Sequence, residues 1–471
     1  KFRLYNLRGF FLSGILQSQV LKILLYVTFF LYLSDGYFLS FNNYFYDVDV
    51  LTEVSLSKEK LDVILANRNS SDVNIYFKEE FYNSFKNYLL PNFHYAKEGI
   101  DVNFTRKQKE FSISKIGDQK IRGVVGSGKT LVLAQRAVNA HKRTDGKVLI
   151  LTYNHSLKNY IKEKLKNVKE DFGWDNFIIL NYHDFFTSVI NNLSIKITIP
   201  KDFESWSFFN KAEYFEQTYY GNLNIFEGHE EKISKYSSIL IDEVQDYKTN
   251  WLRLIKKYFL VENGEFVVFG DSKQDIYNRL NFIDNKKELV IPESPGRWGE
   301  LNESFRLTPT ITTFASAFQQ KFLSQSHNLD QFENADFQSS LFDRVHYRQF
   351  QELNFEVLAD FIYSYSTITK SNPNDISVLS TSIEVIREID CFYRKKSKKE
   401  TSIMSETKEV YDKLHSNSEY RNVKNEIEKI RKNKKIHFKV NSGLIKFSTI
   451  HSFKGWESKT VFLIVNINNT I

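Results

Sequence analysis

The sequence predicts an α/β fold organised on parallel sheets, with helical insertions and an N-terminal accessory domain, and three observations lead there. Gly123–Thr130 reads GVVGSGKT and runs straight into a helical pattern, TLVLAQRAVNA. Ile239–Asp246 reads ILIDEVQD, an apolar strand that delivers two adjacent carboxylates. Apolar runs then recur at Ile376–Leu379, Ile445–Ser448 and Val461–Val465. Apolar strands alternating with helical patterns are what a parallel sheet covered on both faces requires.

Taken along the chain, residues 1–95 are aromatic-rich and expected to form the accessory domain. No convincing Asp and Glu-x-Lys arrangement of a metal-dependent nuclease occurs there. Val20–Leu33 is apolar but shorter than a bilayer span and contains Lys22, so it reads as a buried strand or helix. Residues 96–280 read as the first α/β domain, built around the GVVGSGKT loop with Lys147–Leu151 (KVLIL) as a further strand. An aromatic, polar stretch near 187–236 lacks strand alternation and is expected to be helical. Residues 281–471 read as a second α/β domain, interrupted near 394–435 by a segment dense in Lys, Glu and Ser. That segment reads as a solvated helical excursion, against a basic face that tracks nucleic acid.

Composition narrows the function classes. A chain of 471 residues, 42% hydrophobic and 26% charged, suits two or three globular domains. Lys and Arg number 64 against 57 Asp and Glu, a surplus of +7 that is compatible with nucleic acid without requiring it. Cys391 is the only cysteine, which excludes an intrachain disulfide and a cysteine-held zinc or iron–sulfur cluster, and points to a reducing, cytoplasmic compartment. Val20–Leu33 lacks the small-residue cleavage pattern of a secretory signal, and no membrane association is expected.

The chemistry centres on the loop. A nucleoside triphosphate presents crowded anionic oxygens, so its site must bring backbone N–H groups close without side chains in the way. Gly123, Gly126 and Gly128 leave that space, with Ser127 between them. Lys129 can set its ammonium between the β- and γ-phosphates, and the Thr130 hydroxyl is a hard ligand for Mg2+. Asp242 would hold the metal, directly or through water, and Glu243 would polarise the attacking water. ATP and Mg2+ are the expected cofactors.

Further segments fall in an order that resembles the superfamily 1 DNA helicases of the UvrD, Rep and PcrA type, over about residues 104–465. FTRKQ (Phe104–Gln108) places a Gln where these enzymes read adenine. LTYN (Leu151–Asn154) and NYHDF (Asn181–Phe185) look like their strand-contacting motifs, the first departing from the usual aromatic-Thr-Asn order. GDSKQDIY (Gly270–Tyr277) matches their third motif, NESFR (Asn302–Arg306) their arginine-finger segment, and STIHSFKGWE (Ser448–Glu457) their fifth. The resemblance implies two RecA-like P-loop domains with ATP between them. It implies γ-phosphate sensing by Gln274, an arginine finger reaching from the second domain at Arg306, and a place near the nucleotide for Glu457. It also implies strand contacts at Tyr153, Asn154, His183, Tyr277, Thr449 and His451. The His and Lys of the fifth motif depart from the RNA-acting branch related to Upf1.

The expected activity is that of an ATP-driven, 3′ to 5′ single-stranded DNA translocase and helicase, in DNA repair or phage defence, acting on single-stranded DNA or a single-stranded tail. The rival expectation is an ATPase subunit that regulates a partner nuclease or polymerase without unwinding. The family's last motif, Thr-Arg-Ala, does not occur before Ile471, and the chain opens at Lys1 rather than Met. The expectation is therefore a truncated chain. Between Arg306 and Thr449 there is little room for the family's large second insertion.

Overall fold

The computed structural model describes residues 92–271, 281–283, 286–288, 291, 294, 296–325, 329, 333–334, 344–417, 420–439 and 442–465. The accessory region up to residue 91, with Val20–Leu33, lies outside the described residues, as do Gln274 and Tyr277. Both sheets described below belong to one compact unit, Phe93–Ile471.

The first sheet grows from short apolar strands separated by helices. The chain enters through α1 (Arg106–Ser112), closed at its start by a Thr105–Gln108 capping box. It continues through β1 (Gly117–Gly123), α2 (Lys129–Thr144), β2 (Val148–Thr152), α3 (Leu157–Lys166), β3 (Phe177–Asn181) and α4 (Tyr182–Asn192). The expected helical stretch follows, with α5 (Phe208–Phe215) its longest α-helix. Then come β4 (Tyr236–Ile241), α6 (Thr249–Phe259), β5 (Leu260–Gly270) and β6 (Trp298–Leu301). The six strands pair in parallel in the order β6-β1-β5-β4-β2-β3. Strand β6 comes from beyond residue 280, where the sequence suggested that the second domain begins. Leu301 is buried in the same core as Ile121 and Phe269, so β6 completes the first sheet by covering the open edge of β1.

Polar groups close the end of this sheet away from the loop. Arg136 on α2 and Glu265 midway along β5 are both fully buried and meet at 2.6 Å. Arg136 also donates to the Phe111 carbonyl at 2.9 Å and the Gln119 side chain at 2.6 Å. Glu265 also accepts from Arg143 at 3.1 Å, from the Ser238 hydroxyl at 3.2 Å and from Ser114. One carboxylate thus joins α2, β4, β5 and the turn after α1.

After α7 (Pro309–Phe322) and α8 (Phe355–Ile368), the second sheet is built from β7 (Ile376–Ser380), α9 (Ile383–Ser397), β8 (Ser402–Ile403) and the helices α10 (Lys408–Asn417) and α11 (Tyr420–Ile436). It ends with β9 (Lys446–Thr449), α12 (Ile450–Phe453) and β10 (Thr460–Ile464). The strand order is β8-β9-β7-β10, again parallel. The charged stretch is thus mostly helical, with strand β8 inside it, and its anchor is ionic: fully buried Glu406 accepts from Arg387 at 2.9 Å and from Arg431 on α11 at 2.7 and 2.8 Å. Among the described residues, no helix is long and apolar enough to cross a membrane.

Glu265→Ala would strand the Arg136 guanidinium in the core, and the expected loss of stability is about 3–5 kcal/mol. Arg143→Ala, which removes a partner 29% exposed, is expected to cost less than about 1 kcal/mol. Urea denaturation of both variants checks the contrast.

Candidate active site

The loop between β1 and α2 owes its shape to its glycines. Gly126 and Gly128 have φ of 78° and 81°, in the left-handed region that a side chain disfavours. A Cβ on Gly126 would lie 2.5 Å from Arg306 Cβ, and one on Gly128 would lie 2.8 Å from Gln108 Nε2. The Lys129 ammonium is held by the Gly123 and Val124 carbonyls at 2.7 and 3.3 Å. Gln108 sits behind the loop: its Oε1 accepts from Thr105 N–H at 2.9 Å and its Nε2 donates to the Ser127 carbonyl at 3.0 Å. Both ends of the amide are occupied and the side chain is buried, so Gln108 braces the loop instead of presenting its amide outward. A small cavity beside it is lined by Thr105, Gln108, Ser127, Asn302 and Phe305.

The carboxylates stand at the carboxyl end of β4, two strands from β1 in the sheet. Asp242 is buried, and its Oδ2 accepts from the Thr130 hydroxyl at 3.5 Å. Burial, then the neighbouring Glu243, push its carboxyl up to about 7, against the opposing pull of Lys129. A divalent cation would reverse that shift. Among the described residues no group of three His, Cys, Asp or Glu gathers. A donor set of one carboxylate, one hydroxyl and ligand phosphates fits Mg2+, which is seldom caged by protein alone. Glu243 holds a left-handed backbone, φ 52° and ψ 48°. Its carboxylate accepts from Gln245 Nε2, while Gln245 Oε1 accepts from the Asp271 N–H at 3.1 Å, which ties Glu243 to the end of β5.

Arg306 was expected to reach over from the second domain. The structure corrects this, because its segment follows β6 directly and is bonded to the loop itself. The Phe305 N–H donates to the Gly126 carbonyl at 3.0 Å, and the Ser304 hydroxyl donates to the Val125 carbonyl at 2.9 Å. The second domain instead supplies Glu457, whose carboxylate meets Arg306 at 2.7 Å, the Tyr160 hydroxyl at 2.7 Å and Lys164 at 3.1 Å. Burial alone would raise the Glu457 carboxyl, but Arg306 and Lys164 overcome it and hold the group at about 2.

Segment 452–457 continues this seam. Lys454 meets both oxygens of Asp246 at 2.7 and 2.8 Å, and the Trp456 indole donates to Ser156 at 2.8 Å. Gly455, φ 84°, leaves no room for a Cβ, which would lie 2.6 Å from Leu157 Cδ2. An apolar cluster fills the space between: Leu157 and Tyr160 from α3 with Leu379, Met404, Phe438, Phe453 and Trp456. The Asn159 amide caps the end of α11 by donating to the Ile436 and Phe438 carbonyls at 2.6 and 3.1 Å.

The expected strand contacts divide. Tyr153 and His183 are half-buried and lie together, ring centroids 5.9 Å apart, on an aromatic wall in which Tyr153 stacks at 6.2 Å and His183 abuts at 5.0 Å on Trp251. Asn154 turns to the seam, where its amide donates to the Ser452 carbonyl at 3.3 Å. Thr449 caps α12 by accepting from Ser452 N–H at 3.3 Å, and His451 is exposed. The roles of Gln245, Asp246, Lys454, Tyr160 and Phe305 were missed in the sequence. Four of these five stand inside motifs quoted above; only Tyr160 carried no signal.

Comparison with known proteins bears on the first sheet. Residues 114–279 match a family described as the AAA domain, which spans the phosphate loop and the carboxylate strand and supports a P-loop ATPase module there. No curated protein matches the chain. Among solved structures the chain is similar to the Pif1 helicase from Candida albicans, at 11% identity and a TM-score of 0.28, over 64% of this chain and 56% of that one. The chain thus spans little more than half of that protein. The strand order, rather than so distant a likeness, establishes the fold.

Because Asp242 must ionise to hold a cation, affinity for Mg2+ with nucleotide is expected to rise with pH and level off above about 7. Without the cation the sign is opposite: a carboxyl raised on folding gives stability that declines as pH climbs from the ordinary carboxylate range to about 7. Calorimetric titration across that window, with Asp242→Asn as the flat control, checks both.

Proposed function

We propose that this chain is an ATP-driven motor of the UvrD, Rep and PcrA type that moves along single-stranded DNA from 3′ to 5′ and separates strands as it goes. One observation carries the reading. Lys129, Thr130, Asp242, Glu243 and Arg306 converge at the carboxyl end of one parallel sheet, against a seam where a second sheet docks. Lys129 would bind the phosphates, Thr130 and Asp242 would hold Mg2+, Glu243 would orient water, and Arg306 would answer the charge that develops as the γ-phosphate leaves. Mg2+ would neutralise phosphate oxygens in that step. Arg306 is paired with Glu457, so bringing it to a phosphate means exchanging one anion for another, which links hydrolysis to the seam.

The half-buried Tyr153 and His183 and the exposed His451 support strand contact by stacking, which tolerates any sequence. Phosphate contacts should make binding fall steeply with salt. Gln274 and Tyr277 complete the proposed set on resemblance alone. The compact insertion formed by α10 and α11 favours a second reading, in which the ATPase changes shape on DNA to control a partner nuclease or polymerase.

The deciding measurement is ATP hydrolysis with and without single-stranded DNA. Turnover stimulated by DNA, lost about 100-fold or more in Lys129→Ala and Glu243→Gln, is expected; Arg306→Ala should keep ATP binding while losing turnover. DNA-stimulated hydrolysis without unwinding would select the second reading, and normal turnover in Lys129→Ala would end both.

A further inference from the structure

The turn that presents Glu243 is tied to the second sheet by an ion pair between Asp246 and Lys454. The Asp246 N–H donates to the Glu243 carbonyl at 2.9 Å, closing a tight turn over Val244–Asp246. The Asp246 carboxylate in turn takes both bonds from Lys454, and the two side chains are only 3% and 10% exposed. Lys454 lies between His451, exposed on the proposed strand side, and Glu457, which holds Arg306. A charge pair so screened from water is strongly dependent on geometry, so moving the Lys454 ammonium moves or releases Asp246. Glu243 keeps a left-handed backbone conformation that persists only where its surroundings fix it.

Resting on the motor reading above, we propose that Lys454 and Asp246 are positioning residues that transmit strand contact at segment 449–457 to the Glu243 carboxylate. When the segment is seated, the pair holds the turn and Glu243 faces the site; when it is displaced, Asp246 loses the Lys454 ammonium and the turn shifts. A mere fastening between the domains would instead govern stability and nucleotide affinity together with turnover.

The test uses the full chain, an oligothymidylate and a fluorescent ATP analogue. Lys454→Met is expected to reduce DNA-stimulated kcat about tenfold or more while affinity for the analogue stays within about twofold. Lys454→Arg should restore most of the stimulation, and Asp246→Asn combined with Lys454→Met should be no worse than either alone, as for one unit. Stimulation within about twofold of wild type in Lys454→Met would overturn the proposal, as would a parallel loss of analogue affinity and thermal stability. Absence of turnover in the wild-type chain would overturn the motor reading itself, a result distinguishable from an active wild type indifferent to Lys454.

Discussion

Glu457 must be ionised for the two sheets to face each other as they do. Its carboxylate is the point where Tyr160 and Lys164 of α3 and Arg306 beyond β6 converge. Ion pairs of this kind add little net stability, since desolvation offsets most of the attraction. What they add is direction, because a misplaced carboxylate would leave two cations and a hydroxyl without their acceptor. The stabilisation itself comes from the neighbouring apolar cluster, where a buried side chain such as Trp456 or Phe453 is worth roughly 1.5–3 kcal/mol. Apolar burial holds the domains together, and Glu457 sets the register in which they are held.

The first sheet separates robustness from reactivity along its strands. At the amino end, fully buried Glu265 and Arg136 are each bonded from several sides. At the carboxyl end stand a loop with two left-handed glycines, a carboxyl raised by burial and a left-handed Glu243. Parallel sheets concentrate their sites at the carboxyl ends of the strands. Here the secure end is what lets the strained end persist.

How much of this was legible in the sequence follows from how local each feature is. Gly126, Gly128, Lys129 and Thr130 announce themselves because a phosphate loop is built from consecutive residues, and Asp242 because its strand is apolar up to the carboxylate. The parallel layering was legible from the same runs. Less local features were not. Nothing in NESFR says that β6 pairs with β1, so the side from which Arg306 approaches was misread. Gln108 was identified, but that both ends of its amide would be occupied depends on Thr105 and Ser127 folding around it. Asp246 and Lys454 meet across 208 positions, a pairing that only the docked sheets create.

The segment that closes the seam is short, and nearly every residue in it has a different address on the first domain. Ser452 meets Asn154, Lys454 meets Asp246, Gly455 lies against Leu157, Trp456 meets Ser156 and Glu457 meets Arg306. Such a stretch is fixed in length as well as at its contact residues: one inserted residue would move every later side chain onto its neighbour's address. The connection through α10 and α11 is pinned at fewer points for its length, such as at Arg431 by Glu406 and at its end by Asn159. An insertion between Thr449 and Glu457 would therefore break several contacts at once, where one in the α10–α11 connection away from Arg431 and Ile436 would break few.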